Sequence, residues 1–400
     1  MRSLLHDLFF GEVWIMQFQG ETLHYFNVEG FVENIFGNSQ HKKRVQSIAN
    51  AALGVIASGS LIVHRIGRGM ANALNLSDKH AVKQVDRLLS NKNLILEETD
   101  KCMVNYLIGD RQEVKITMDW TEFDPDSQAT ICLNLVTSHG RATPLLWKTI
   151  NKNQLKNNRN NYEDEVLLRL KNVLPEGIKV TILADRGFFD IKLFDFLNEL
   201  GFHYCIRVRN NTHITDSSGE TKSAVEWVPH NGRTKTIRDA KITISEYEVG
   251  LVAIKHEKGM QQPWCIVSSD DTLSGSGLIT WYAKRWGCEP QFRDTKDIHF
   301  GMGLYTTSIK STERRDRILL ISAIATIILT FLGAACEKIG LDKYLKVNTS
   351  KKRTLSLFRQ GCIIFNRLEK MANSTAEKLM HAFCELILEN RNVTTILGVV

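Results

Sequence analysis

Five residues with reactive or charged side chains recur late in the chain: Tyr282, Arg285, Glu289, Arg293 and Lys296, separated by three, four, four and three positions. At about 3.6 residues per turn these intervals predict a helix with all five on one face. That face holds one carboxylate, three cations and a phenol, with Trp281, Trp286 and Phe292 around it. A packing face would be apolar, and a plain solvent face has no reason to gather large aromatics. A carboxylate among cations suits a metal-binding group flanked by phosphate-binding groups. The competing reading is a surface helix held by Arg285–Glu289 and Glu289–Arg293 ion pairs. The helix alone leaves both open.

Two more carboxylates follow apolar runs. Val114–Met118 reads as a strand that ends at Asp119-Trp120-Thr121, and Lys179–Ala184 as one that ends at Asp185-Arg186-Gly187. A carboxylate at a strand's C-terminal end projects into the crevice at the sheet edge. Aspartate is also common in turns, so either residue alone says little. Asp119, Asp185 and Glu289 together would repel one another unless a hard cation sat among them. Two Mg²⁺ ions held this way (Mn²⁺ as substitute) activate a water or a DNA 3′-hydroxyl and stabilise the leaving oxygen.

The elements that must position these groups follow from periodicity. Residues 1–40 form an extension with no assigned task; Leu4, Leu5, Leu8, Phe9 and Phe10 predict a short amphipathic helix there. Residues 41–110 read as small helices (Val45, Ile48, Ala52, Leu53 and Ile56, then Ile62 to Leu74, then a helix capped at Ser77). Arg65, Arg68, Lys79, Lys83, Arg87 and Lys92 line them, which suits either DNA backbone contacts or a solvated basic face. Residues 111–209 alternate as β-β-β-α-β-α-β, a mixed sheet flanked by helices. A polar loop is expected from Asn151 to Asn161. Residues 210–277 read as a β-rich insertion with short strands at Lys241–Tyr247, Val249–Lys255 and Trp264–Ser268. Residues 278–340 return to helix. There Ile318–Ala335 is apolar almost throughout, and it reads as a helix buried on all sides rather than a membrane span. Residues 341–400 are helical with a basic cluster.

Composition narrows the function classes. At 43% apolar and 24% charged, the chain has the balance of a soluble globular protein. The net charge of +7 permits a polyanionic partner without demanding one. The eight cysteines contain no CxxC pair, so a zinc ribbon is not predicted, and they read as reduced thiols of a cytoplasmic protein. No signal peptide is evident.

The motifs now support a resemblance. Tyr282, Arg285, Glu289 and Lys296 match Y-(2)-R-(3)-E-(6)-K at every interval. Met118-Asp119-Trp120-Thr121 and Ala184-Asp185-Arg186-Gly187-Phe188 look like first- and second-aspartate segments. With the stretch Val82–Asn91, over residues 41–370, the chain resembles the DDE transposases of bacterial insertion sequences, in the insertion-sequence-four family. The resemblance implies a ribonuclease H-like mixed-sheet core interrupted by a β insertion. It implies Asp119, Asp185 and Glu289 as the catalytic, metal-binding triad. Tyr282, Arg285, Arg293, Lys296 and Arg207 would hold transposon-end phosphates. Trp286 follows the family pattern, and Trp264, with Trp227 second, is the candidate for stacking on a flipped base. The implied activity is cut-and-paste transposition: a homodimer binds inverted-repeat DNA ends, cleaves them and joins the 3′-hydroxyls to target DNA. A metal-dependent nuclease and a non-catalytic DNA-binding regulator are the alternatives.

Overall fold

Gly67 decides how the first helices meet. A Cβ there would come within 2.4 Å of the Val82 side chain, so only glycine lets the two helices touch at the backbone. The helices are α1 (Tyr25–Phe36), α2 (Lys42–Ser58), α3 (Val63–Leu74) and α4 (Asp78–Leu89). Val45, Ile48, Ala52, Leu53 and Ile56 are buried, as their spacing predicts. The chain leaves α2 through Gly59 at φ 60° and turns by 97° into α3. Arg65, Arg68, Lys79, Lys83 and Arg87 remain exposed. The computed structural model describes residues 25–347, 349–388 and 396–398. The helix expected around Leu4–Phe10 lies outside these residues.

After α5 (Leu96–Ile108) the period-two pattern gives β1 (Glu113–Phe123), β2 (Gln128–Leu135) and β3 (Thr143–Asn151), paired antiparallel as a meander. A short helix α6 (Lys152–Leu155) and the longer α7 (Arg159–Val173) follow. The expected polar loop is therefore mostly helical, because the apolar stripe Val166, Leu167 and Leu170 has a core to dock on. Strand β4 (Lys179–Ala184) joins β1 in parallel. Helix α8 (Ile191–Glu199) leads to β5 (His203–Arg207), parallel to β4.

The insertion does not form a sheet of its own. Its strands β6 (His213–Thr215), β7 (Thr221–Ser223), β8 (Lys235–Ile242), β9 (Tyr247–Lys255) and β10 (Trp264–Ser268) extend the same sheet. The ten strands run β3-β2-β1-β4-β5-β10-β9-β8-β6-β7. Pairing with β10 covers the edge that β5 would otherwise expose. One expected strand is corrected. Lys241–Tyr247 is the end of β8 and a turn, with Thr243 and Glu246 at positive φ and Ile244 90% exposed at the tip. The alternation of Ile242 and Ile244 mimicked a strand, but the ladder closes at Ile242↔Tyr247.

Helices α9 (Gly275–Lys284), α10 (Cys288–Lys296) and α11 (Thr312–Lys338) follow, then α12 (Leu357–Phe365) and α13 (Asn373–Leu388). The apolar run lies in α11. The helix is long and apolar enough to cross a membrane, and 89% of its most apolar 18-residue window is buried within the protein. Contacts divide the chain into two compact units: Met1–Leu88 with Ile324–Ile396, and Leu89–Ala323 with Leu397–Val400. In the second unit Arg315 is fully buried against Asp126 and Gln128. In the first, Gly361 lets α12 approach α11 to backbone contact at Leu329.

Asp316, beside Arg315, gives a pH-dependent prediction. Burial pushes its carboxyl up to about 7, only partly offset by hydrogen bonds from Thr149 and by Arg169 and Lys148. A folded-state pKa above the unfolded value makes ionisation costly to the fold. That stability is complete below the unfolded pKa and is lost as pH rises through the folded one. Asp316→Asn is therefore expected to be near neutral at pH ~4 and stabilising above pH ~7, on the order of 3 kcal/mol. Denaturant unfolding of both proteins at the two pH values checks this; the same offset at both would contradict it.

Candidate active site

Asp185 follows the end of β4 as expected, but Asp119 lies inside β1, which runs on to Phe123 because its pairing with β2 continues past the apolar run. The sheet register still brings the two into one row. Met118 pairs with Ala184 and Ala184 with Ile206, so the next residues on three adjacent parallel strands are Asp119, Asp185 and Arg207. On the other side Asp119 pairs with Cys132 of β2. Asp185 accepts a hydrogen bond from Gly187 N at 2.7 Å, which opens a short 3₁₀ turn, Arg186–Phe188. Asp119 is raised in pKa by burial and by the charge of Asp185, with Arg285 and Cys288 acting in the opposite direction.

The segment with the five spaced residues is not one helix. Helix α9 ends at Lys284, a 3₁₀ turn covers Arg285–Gly287, and α10 begins at Cys288. Pro290 accounts for the break. It has no N–H to donate to the carbonyl of Trp286, and a proline is accommodated in the first turn of the new helix. Tyr282, Arg285 and Glu289 still meet across the break. Tyr282 is buried, and Arg285 lies 5.7 Å from its ring. Arg285 donates through Nη1 to Asp119 Oδ2 at 3.2 Å and through Nη2 to Glu289 Oε1 at 3.0 Å. Lys296 instead donates to Thr121 Oγ1 at 3.1 Å and to the Glu122 carbonyl at 2.6 Å. Burial lowers its pKa, while Asp124 and Glu122 oppose the shift.

Arg293 is exposed and, with Glu289, Lys284, Trp286 and Ser138, lines a cleft of about 740 Å³. Trp286 is 58% exposed there. Trp264, on β10, is partly buried and meets both Tyr282 (centroids 5.0 Å apart) and Trp286 (6.5 Å) edge-on. Trp227 is buried and donates to the Ile214 carbonyl, holding the insertion together. Arg207 donates to the Pro263 carbonyl at 3.1 Å, and Arg186 to Gln262 Oε1 at 3.0 Å.

Sequence reasoning missed two contributors. The Cys288 thiol donates to Asp119 Oδ2 at 3.3 Å, next to Glu289 in the chain. Burial, then the neighbouring Asp119, pushes that thiol up in pKa. Arg141, in the β2–β3 loop, pairs with the largely buried Asp294 and ties that loop to α10. The position of Cys288 before Glu289 was a signal for the first. The second joins residues 153 positions apart and had none.

No three His, Cys, Asp or Glu side chains among the described residues are grouped so as to enclose a metal ion. The donor set nonetheless suits a hard cation. The Arg285 guanidinium lies between Asp119 and Glu289 and pairs with both.

Residues 148–328 match the family described as the transposase DDE domain. The matched span contains Asp185, Arg207, Tyr282, Arg285, Glu289, Arg293 and Lys296; Asp119 precedes it. No curated protein matches the chain significantly. The match supports a DNA-cleaving transposase, with DNA as the partner such a domain implies.

Proposed function

We propose that the chain is a cut-and-paste transposase of the insertion-sequence-four family with a ribonuclease H-like core. It binds the inverted-repeat ends of its element as a homodimer, works in the bacterial cytoplasm and on the nucleoid, and uses no membrane. One observation carries the reading: Asp119 and Asp185 follow paired residues on parallel strands, and Arg285 links Asp119 to Glu289. The sheet order β3-β2-β1-β4-β5, continued by the insertion strands, supports the core assignment. Asp119, Asp185 and Glu289 are the residues that would hold two Mg²⁺, or Mn²⁺ in their place. When bound, such ions supply charge neutralisation and activation of the attacking oxygen for in-line phosphoryl transfer.

The chain's own groups do the rest. Arg207, Arg285, Arg293 and Lys296 offer cations to the DNA backbone, the first three by guanidinium forks that match phosphate geometry. Trp286 and Trp264 offer aromatic faces beside the cleft, suited to a base drawn out of its stack. The exposed Lys79, Lys83 and Arg87 on α4 suit contacts to DNA phosphates.

Phosphate contacts have a measurable signature. Each one lost is expected to reduce the slope of log affinity against log salt by about 0.9 for duplex DNA. Alanine at Arg207, Arg285, Arg293 or Lys296 should each flatten the slope of end binding by roughly one such step. An unchanged slope in all four variants would count against the assignment.

A further inference from the structure

Arg285 sits where the metal chemistry would need free carboxylates. Its side chain is buried, and its two terminal nitrogens are taken by Asp119 and Glu289. Asp119 Oδ2 is engaged twice, by Arg285 and by the Cys288 thiol. The buried Nε atoms of Arg285 and of Arg207 have no hydrogen-bond partner in the described structure. Arg285 lies 5.7 Å from the Tyr282 ring. Arg207 donates to the carbonyl of Pro263, next to Trp264, whose ring meets that of Tyr282 at 5.0 Å, so the two donors lie in one neighbourhood. Unmatched buried N–H groups are costly, and an anion's oxygens would satisfy them.

We infer that Arg285 is an internal counter-cation: it neutralises Asp119 and Glu289 in the DNA-free chain and yields them to a divalent cation when a DNA phosphate draws it away. The inference rests on the proposed role of these carboxylates. A guanidinium and a metal cannot both take the same oxygens of Asp119. The guanidinium fork fits a phosphate as well as it fits a carboxylate, so a backbone phosphate offers Arg285 a replacement partner. The Glu289 side chain is 55% exposed, so solvent can take over when Arg285 leaves it. Release therefore leaves little buried charge uncompensated on that side. DNA and metal would then bind cooperatively, each raising the affinity for the other by the same factor. The device would keep the cleavage site uncharged by metal until DNA is seated.

The test uses the full chain without DNA and Mn²⁺ as the probe, with free Mn²⁺ read by its electron paramagnetic resonance signal. Arg285→Gln removes the charge and keeps a donor of similar shape. It is expected to bind Mn²⁺ at least about tenfold more tightly than wild type, within the usual range of such couplings. Adding Asp119→Asn to it should erase the gain. Arg285→Lys keeps the charge and stem without the fork, and its affinity should fall between the two; it carries the test if the Gln variant does not fold. Mn²⁺ binding that depends on Asp119 but is no tighter in either Arg285 variant overturns the counter-cation alone. Mn²⁺ binding insensitive to Asp119→Asn in every protein overturns the carboxylate assignment and the counter-cation with it.

Discussion

Asp119→Asn, Asp185→Asn and Glu289→Gln are each expected to abolish DNA strand cleavage while DNA binding persists. Asp119 and Glu289 are the two partners of Arg285, and Asp185 follows the β4 residue that pairs with Met118, next to Asp119. A metal ion's charge stabilisation is worth several kcal/mol, so the loss in rate should be roughly 10³-fold or more. Affinity for DNA should stay level or rise, because removing a negative charge near phosphates lowers repulsion. A gel assay of nicking beside a filter-binding measurement separates the two effects. Substantial metal-dependent nicking by Asp185→Asn would remove that residue from the site.

The second large effect concerns α11. Ile324 is fully buried in it. Ile324→Asp would place a carboxylate where no partner waits, at a cost of several kcal/mol against a total stability of about 5–15 kcal/mol for a domain. The variant is expected to be insoluble or unfolded in detergent-free buffer, whereas the wild-type chain should be extracted without detergent. A folded, soluble Asp variant would refute the buried-helix account, and so would a wild-type chain that stays with the membrane pellet.

What the sequence disclosed follows the range of each interaction. The apolar run before Asp185 ended where β4 ends, because burial on both faces writes itself into consecutive residues. The run before Asp119 did not mark the end of β1, which continues through Asp119 to Phe123 in its pairing with β2. The register that sets Asp119 beside Asp185 and Arg207 was not legible, since it pairs residues tens of positions apart through packing. The spacing of Tyr282, Arg285 and Glu289 found groups that do come together. Lys296, two turns beyond Glu289 on the same helix, reaches Thr121 and Glu122, further along β1 than Asp119. The insertion's strands were visible, but their continuity with the core sheet was not. Only the edge of β5 determines where β10 docks.

The most direct test of the whole reading is a strand-transfer assay. Linear DNA carrying the inverted repeats that flank the coding region is incubated with the chain, a supercoiled target plasmid and Mg²⁺. The account predicts target molecules joined to the 3′ ends of the linear DNA, and their loss with Asp119→Asn, Asp185→Asn or Glu289→Gln. Cleavage without joining would reduce the protein to a nuclease. Joining that survives all three substitutions would contradict the site itself.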